Sequence, residues 1–336
     1  MASYTVPPVY AAFIWWFSTG AVLLLVGCAR RFVPLQVTIA AFLVAGSLCG
    51  LAFSAGDASV GGAYIAFTST ILLWGAQEIA FLSGWVTGPR PDPCPAGVTG
   101  WRRLGPALSA ILYHELTLIA CGAAIAALTW GEANQVALWT FAALWALRQS
   151  AKINLFLGVP VTNDELMPQP VQFLKTFFAR KPVGAFFPIS VTSATAVLVI
   201  LIQRIVEVAA TPFDVVGLTL VSTLFALGVV EHWFMLLPLP AITLWGWGMR
   251  SGFPPEDATM KQEPDAKLSN TPPNLVVLAS VRPDAAPPRP APAACARQRL
   301  EDQFRQSFRE QHAREALTTG LSIGEAPAAT VNGRTS

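Results

Sequence analysis

The chain has 336 residues, 53% of them hydrophobic and only 12% charged, with 11 Trp and 20 Phe. That balance excludes an ordinary soluble globule and points to a membrane protein. The 22 Lys and Arg stand against 20 Asp and Glu, so no basic field attracts nucleic acid, and nucleic acid is not expected as a partner.

The N-terminal "MASYTVPPVY" lacks the basic n-region of a secretory signal, so the apolar run after it is read as an uncleaved span. A hydrocarbon core roughly 30 Å thick takes about 20 apolar residues per helix. Such runs place spans near Val9 to Cys28, Pro34 to Ser54, Val60 to Gly84, Pro106 to Thr129, Gln135 to Phe156, Val183 to Ile205 and Asp214 to Pro238. The last run continues as "LPLPAITLWGWGM", where Pro238 and Pro240 should break the helix and two tryptophans suit a membrane interface.

Basic residues fix an expected orientation, because cytoplasmic loops retain Lys and Arg. Arg30 and Arg31 follow the first span, Arg90, Arg102 and Arg103 the third, and Arg148, Lys152, Lys175, Arg180 and Lys181 end or follow the fifth. Of the 11 basic residues before Arg250, Arg204 alone falls in a loop assigned outside. The predicted fold is therefore an all-α polytopic membrane bundle of seven transmembrane helices over residues 1–250, with the N-terminus outside and the C-terminus cytoplasmic.

Residues 251–336 form a cytoplasmic tail rich in Pro and Ala, too poor in large apolar groups to repay its ordering entropy. Within it, Arg297 to Leu317 carries Leu300, Phe304 and Phe308 at four-residue spacing, the pattern of a short helix. Two readings of it stand: a helix resting on a membrane or partner, or a solvated, partly formed one.

Ionisable residues at membrane depth mark a pathway, a ligand site or a structural ion pair. The third span carries Gln77 and Glu78, the fourth His114 and Glu115, and the seventh Glu231 and His232. At 1.5 Å per residue these lie roughly 10 to 13 Å below the cytoplasmic face. Arg148, Gln149, Lys152 and Asn154 end the fifth span in the same layer and offer counter-charges to the three carboxylates. Neighbouring residues on a helix point about 100° apart, so each His–Glu pair should serve two different neighbours. Spacing alone leaves open whether the three clusters touch.

Complete enzyme templates are absent. "HELTL" has Leu118 where a metalloprotease HExxH needs its second His, and Glu231 and His232 are contiguous rather than spaced as ExxH. Five scattered cysteines lack CxxC spacing. No P-loop, GxSxG or dinucleotide fingerprint is present, so neither catalysis nor a metal is expected. In the loop after the fifth span, a short amphipathic helix from Pro168 to Pro170 onward could lay Val171, Leu174, Phe177 and Phe178 against lipid.

The segments "FIWWFSTGAVLLL", "WGAQEIAFLSGWVTGPR", "ILYHELTLIA", "LTWGEANQVALWTFAALWALRQSAKINLFLGVP" and "VVEHWFMLLPLP", in order between Val9 and Met249, resemble the PuhE family, photosynthetic complex assembly protein 2 of anoxygenic phototrophic bacteria. The loop "LMPQPVQF" at Leu166 to Phe173 and the tail after Ser251 depart from that resemblance. The resemblance implies a multi-span protein of the bacterial inner (cytoplasmic or intracytoplasmic) membrane, acting with reaction-centre and light-harvesting subunits or their assembly factors. It implies assembly or a modulation of bacteriochlorophyll supply, and no known reaction. The candidate site is then the polar layer Gln77, Glu78, His114, Glu115, Arg148, Lys152, Asn154, Glu231 and His232, as a structural layer or, through His114 and His232, as ligands to bacteriochlorophyll magnesium. A proton or small-molecule transporter is the alternative, and an intramembrane enzyme of pigment metabolism the third.

Overall fold

The computed structural model describes residues 2–28, 32–237 and 241–249, so the expectations for 251–336, including a helix over 297–317, lie outside the described residues. Eight α-helices follow in order: α1 Ala2–Val26, α2 Val33–Ser54, α3 Val60–Leu82, α4 Leu104–Thr129, α5 Val136–Leu157, α6 Phe186–Glu207, α7 Pro212–Phe234 and α8 Ala241–Met249. Among the described residues there is no strand, and the one β-type pairing is an isolated parallel bridge between Val159 and Arg180.

Six helices are long and apolar enough to cross a membrane. The exception among the long helices is α5, equal to α2 in length but carrying Arg148, Gln149, Ser150, Lys152 and Asn154 in its second half. Local chemistry sets several ends. Ser59 caps α3 by accepting from Gly62 N–H at 3.0 Å, and Thr211 with Asp214 forms a reciprocal capping box on α7. Gly84, at φ +79°, turns the chain out of α3 in a conformation that suits glycine. That end places Glu78 four residues before the terminus of α3, and Glu231 lies three before the end of α7. Both are nearer the helix ends than the sequence spacing predicts.

Cross-helix contacts reveal the architecture. Tyr10 hydrogen-bonds Thr68 at 2.6 Å and Val22 lies beside Gly75, so α1 and α3 run parallel. Thr70 reaches the carbonyl of Ala137 and Glu78 reaches Arg148, so α3 and α5 also run parallel. Val136 beside Gly217 and Leu147 beside Gly228 give α5 and α7 the same direction. The odd-numbered helices α1, α3, α5 and α7 thus form an inner parallel ring. In contrast, α4 opposes α5, with Phe141 against Gly122 at one end and Glu115 against Gln149 at the other. The ring is filled by Phe67, Ile71, Leu73, Phe141, Leu220 and Leu224.

The segment after α5 caps one end of the ring. Val159 N–H donates to Ala179, Ala179 N–H to Leu155, and Val161 N–H to the carbonyl of Met235 just beyond α7. Its helical part is a 3-10 helix, Gln169–Phe177, in place of the expected amphipathic α-helix. With three residues per turn, Val171, Leu174 and Phe177 fall on one line. That line is buried against Phe81 and Ala110 rather than laid into lipid. The tryptophans of α8, expected at an interface, pack on α1: Trp245 is buried and its indole donates to the carbonyl of Trp16 at 3.2 Å. Trp247 stacks with Phe17 at 5.9 Å.

Candidate functional site: a polar layer organised by α5

Because α5 sits inside the ring, successive residues of its second half face different helices. Arg148 donates to Glu78 on α3 at 3.0 Å. Gln149 donates to Glu115 on α4 at 2.6 Å, and Lys152 forms an ion pair with the other oxygen of the same carboxylate. Ser150 meets His232 Nε2 on α7 at 2.9 Å. Asn154 donates to the carbonyl of Ser150 and to the hydroxyl of Ser190 on α6, at 3.1 and 2.9 Å. One helix therefore addresses four neighbours within two turns.

His232 and Glu231 separate as adjacent helical residues must. His232 Nδ1 lies 2.7 Å from the carbonyl of Gly228. It donates there, so Nε2 accepts from the Ser150 hydroxyl. Glu231 faces α1 instead, accepting from the Trp15 indole at 3.1 Å. No cation is paired with it among the described residues, which differs from the expectation that α5 would compensate all three carboxylates. Arg148 and Lys152 are already committed to Glu78 and Glu115.

His114 also diverges from its neighbour. While Glu115 turns to α5, the His114 ring stacks on Phe81 with centroids 4.1 Å apart, is 0% exposed, and has no hydrogen-bond partner on either nitrogen. Its backbone N–H donates to the carbonyl of Thr87 at 3.0 Å. The next residue, Gly88, presses so closely on α4 that a Cβ there would stand 2.0 Å from the carbonyl oxygen of Ser109. Gln77, half-buried on α3, makes none of these contacts. The sequence reading missed Ser150, Ser190 and Trp15.

Neither histidine fits as an axial ligand to bacteriochlorophyll. A ligating imidazole needs a free nitrogen at an open face. His232 has both nitrogens engaged within the chain, and His114 is sealed beneath Phe81, so a tetrapyrrole would have to part the packed helices. Among the described residues no group of three or more His, Cys, Asp or Glu is placed to hold a metal ion. Chemically, the arrangement offers two compensated ion pairs, one hydrogen-bonded histidine, and one carboxylate without a cation.

At the cap, outside the membrane-spanning helices, Asp164 accepts from Arg180 and Thr162, each at 2.6 Å. Partial burial opposes its ionisation, but the Thr162 and Arg180 hydrogen bonds outweigh it and hold the carboxyl below its ordinary value. Arg103 ties the start of α4 to the same cap, donating to the carbonyls of Phe177 and Phe156 at 3.1 and 2.9 Å.

The chain is 38% identical over 256 residues to a Rhodobacter capsulatus protein described as "Uncharacterized 30.4 kDa protein in puhA 5'region", covering 75% of this chain and 93% of that protein. No solved structure matches the chain. Residues 1–256 match the family model described as "Protein of unknown function (DUF3623)", and the chain belongs to that family.

Proposed function

We propose that the protein is a non-catalytic assembly factor of the photosynthetic apparatus, embedded in the bacterial inner membrane and acting on the reaction centre and core light-harvesting complex. The observation that carries this reading is the relative encoded in the 5' region of puhA, a photosynthesis gene region. The ordered motifs that resemble the PuhE family add to it. In this reading α5 is the seventh crossing, its polar residues turned to α3, α4, α6 and α7 rather than to lipid. The alternation of basic loops sets the N-terminus outside.

Two features of the bundle support a docking role. The outer helices α2 and α6 bury few of their residues and present apolar side chains such as Phe42, Phe53, Ile189 and Ile200 to the surroundings. Such surfaces suit lipid and the transmembrane segments of antenna and reaction-centre subunits. The ion pairs of α5 then fix the rotation of the helices that carry those surfaces. The exposed Glu231 favours a second reading, a proton or solute path, which the apolar filling of the ring would close in this state.

The test is to isolate affinity-tagged full-length protein from phototrophically competent cells and identify its co-purifying partners. Reaction-centre or core antenna subunits should be enriched, and deletion of the gene should lower the core-complex absorption of isolated membranes. Neither effect, together with a proton flux in liposomes that disappears in Glu231→Gln, would replace assembly by transport.

A further inference from the structure

The charged residues of the inner ring repeat a single spacing. Ile71 on α3, Phe141 on α5 and Leu224 on α7 are buried side chains of one apolar core. Seven residues after each stands a charge: Glu78, Arg148 and Glu231. Seven residues are close to two full turns, so each charge points the same way as its apolar partner, into the ring, about 10 Å further along the axis. Glu231 also shares its stripe with Gly228 and Met235, both buried.

Accessibility changes abruptly between the two layers. Ile71, Phe141 and Leu224 are nearly sealed, whereas Glu231 is exposed and the Arg148 side chain is 40% accessible. Inward-pointing yet accessible, these groups line a vestibule closed on one side by the apolar layer. Two carboxylates face one guanidinium there, which leaves one negative charge. Glu78 Oε1 and Arg148 Nε are buried without a hydrogen-bond partner. Aromatic rings stand at the carboxylate: Trp15 donates to Glu231 and packs edge-on to Trp245 at 5.4 Å.

We propose that this vestibule binds an organic ammonium group, with Glu231 as its counter-ion, Trp15 as an aromatic wall and Glu78 completing the negative field. A carboxylate with an indole beside it is suited to an alkylammonium, whose charge is attracted to the carboxylate and to the ring face. Depth in the membrane selects an amphiphilic amine over a strongly hydrated metal ion, and Arg148 adds repulsion against a second positive charge. The ammonium comes from a free amphiphilic amine or from a zwitterionic lipid headgroup. This site stands independently of the assembly reading.

The test uses full-length protein in phosphatidylglycerol nanodiscs, titrated with benzylammonium chloride and, as the uncharged counterpart, benzyl alcohol, with saturation-transfer NMR as readout. Wild-type protein should bind benzylammonium saturably and at least tenfold more tightly than benzyl alcohol. Glu231→Gln should abolish that preference, and Trp15→Phe, which keeps an aromatic wall, should weaken binding no more than about threefold. Adding phosphatidylethanolamine to the nanodiscs separates the sources: weakened benzylammonium binding assigns the site to the headgroup, and unchanged binding to a free amine. Equal affinity of wild-type protein for the charged and neutral probes overturns the proposal without any variant having to fold, as does an unaltered preference in Glu231→Gln.

Discussion

Arg148 and Glu78 meet through one hydrogen bond of 3.0 Å while each keeps one buried polar atom, Nε and Oε1, that no neighbour satisfies. The Lys152–Glu115 pair on the next turn of α5 is more enclosed, with side chains 21% and 18% exposed and Gln149 on the second carboxylate oxygen. Losing the cation therefore strands a more deeply buried charge in the second pair. Lys152→Met should cost about 2–4 kcal/mol and Arg148→Met about 1–2 kcal/mol, the latter discounted for solvent screening. Thermal unfolding in detergent gives the order; an Arg148 variant that is the less stable of the two would contradict it.

His232 depends on a chain of small polar residues. Ser150→Ala removes the hydroxyl that Nε2 accepts from and leaves a buried acceptor unpaired, at about 1–3 kcal/mol. Asn154→Leu should cost a similar amount, because it frees the Ser190 hydroxyl of a partner while closely matching the volume. Combining the two should cost less than their sum, since both act on the Ser150 turn. Strict additivity in a double-mutant cycle would mean that the two contacts are independent.

Gly88 is fixed by the backbone of α4. Gly88→Ala places a methyl 2.0 Å from the carbonyl oxygen of Ser109, which no rotamer relieves, and should cost about 1–3 kcal/mol. Gly46, inside α2 with nothing near its missing Cβ, provides the contrast. Gly46→Ala should be neutral or stabilising by up to about 1 kcal/mol. Their melting temperatures should move in opposite directions or, for Gly46, not at all.

Asp164 makes the cap sensitive to acid. Its carboxyl is held below the ordinary value of 3.8, so its contribution is full above that value and fades as pH falls through the lower folded one. Hydrogen exchange at Val159 and Lys181, whose N–H groups bond across the cap, should accelerate below pH ~4 in wild-type protein. In Asp164→Asn exchange should already be faster at neutral pH and change little on acidification. Identical profiles for the two proteins would remove Asp164 from the account.

Helix positions were readable because a membrane span demands a long apolar run that few other elements produce. Their rotations were not. The sequence placed Glu78, Glu115, Glu231, Arg148 and Lys152 at similar depth, but which carboxylate meets which cation depends on the facing of each helix, and a residue's type does not encode it. Ser150, Ser190 and Trp15 passed unnoticed because Ser and Trp are ordinary in membrane helices. A signal was nevertheless present: the shared seven-residue step from Ile71, Phe141 and Leu224 to their charges marks three helices turned toward one axis. The 3-10 segment was misjudged for a related reason, since Val171, Leu174 and Phe177 at three-residue intervals match a 3-10 repeat better than an α-helical one.

The parallel ring also dictates an order of events during synthesis. Parallel neighbours in a ring are never consecutive in the chain, and the Trp15 indole must wait for a carboxylate made 216 residues later. Until α7 emerges, the ring lacks a wall and the Glu78–Arg148 pair stands beside lipid. A ribosome that stalls before Pro212 therefore leaves a product whose unshielded charges distinguish it from the finished protein, a mark by which membrane proteases can sort one from the other.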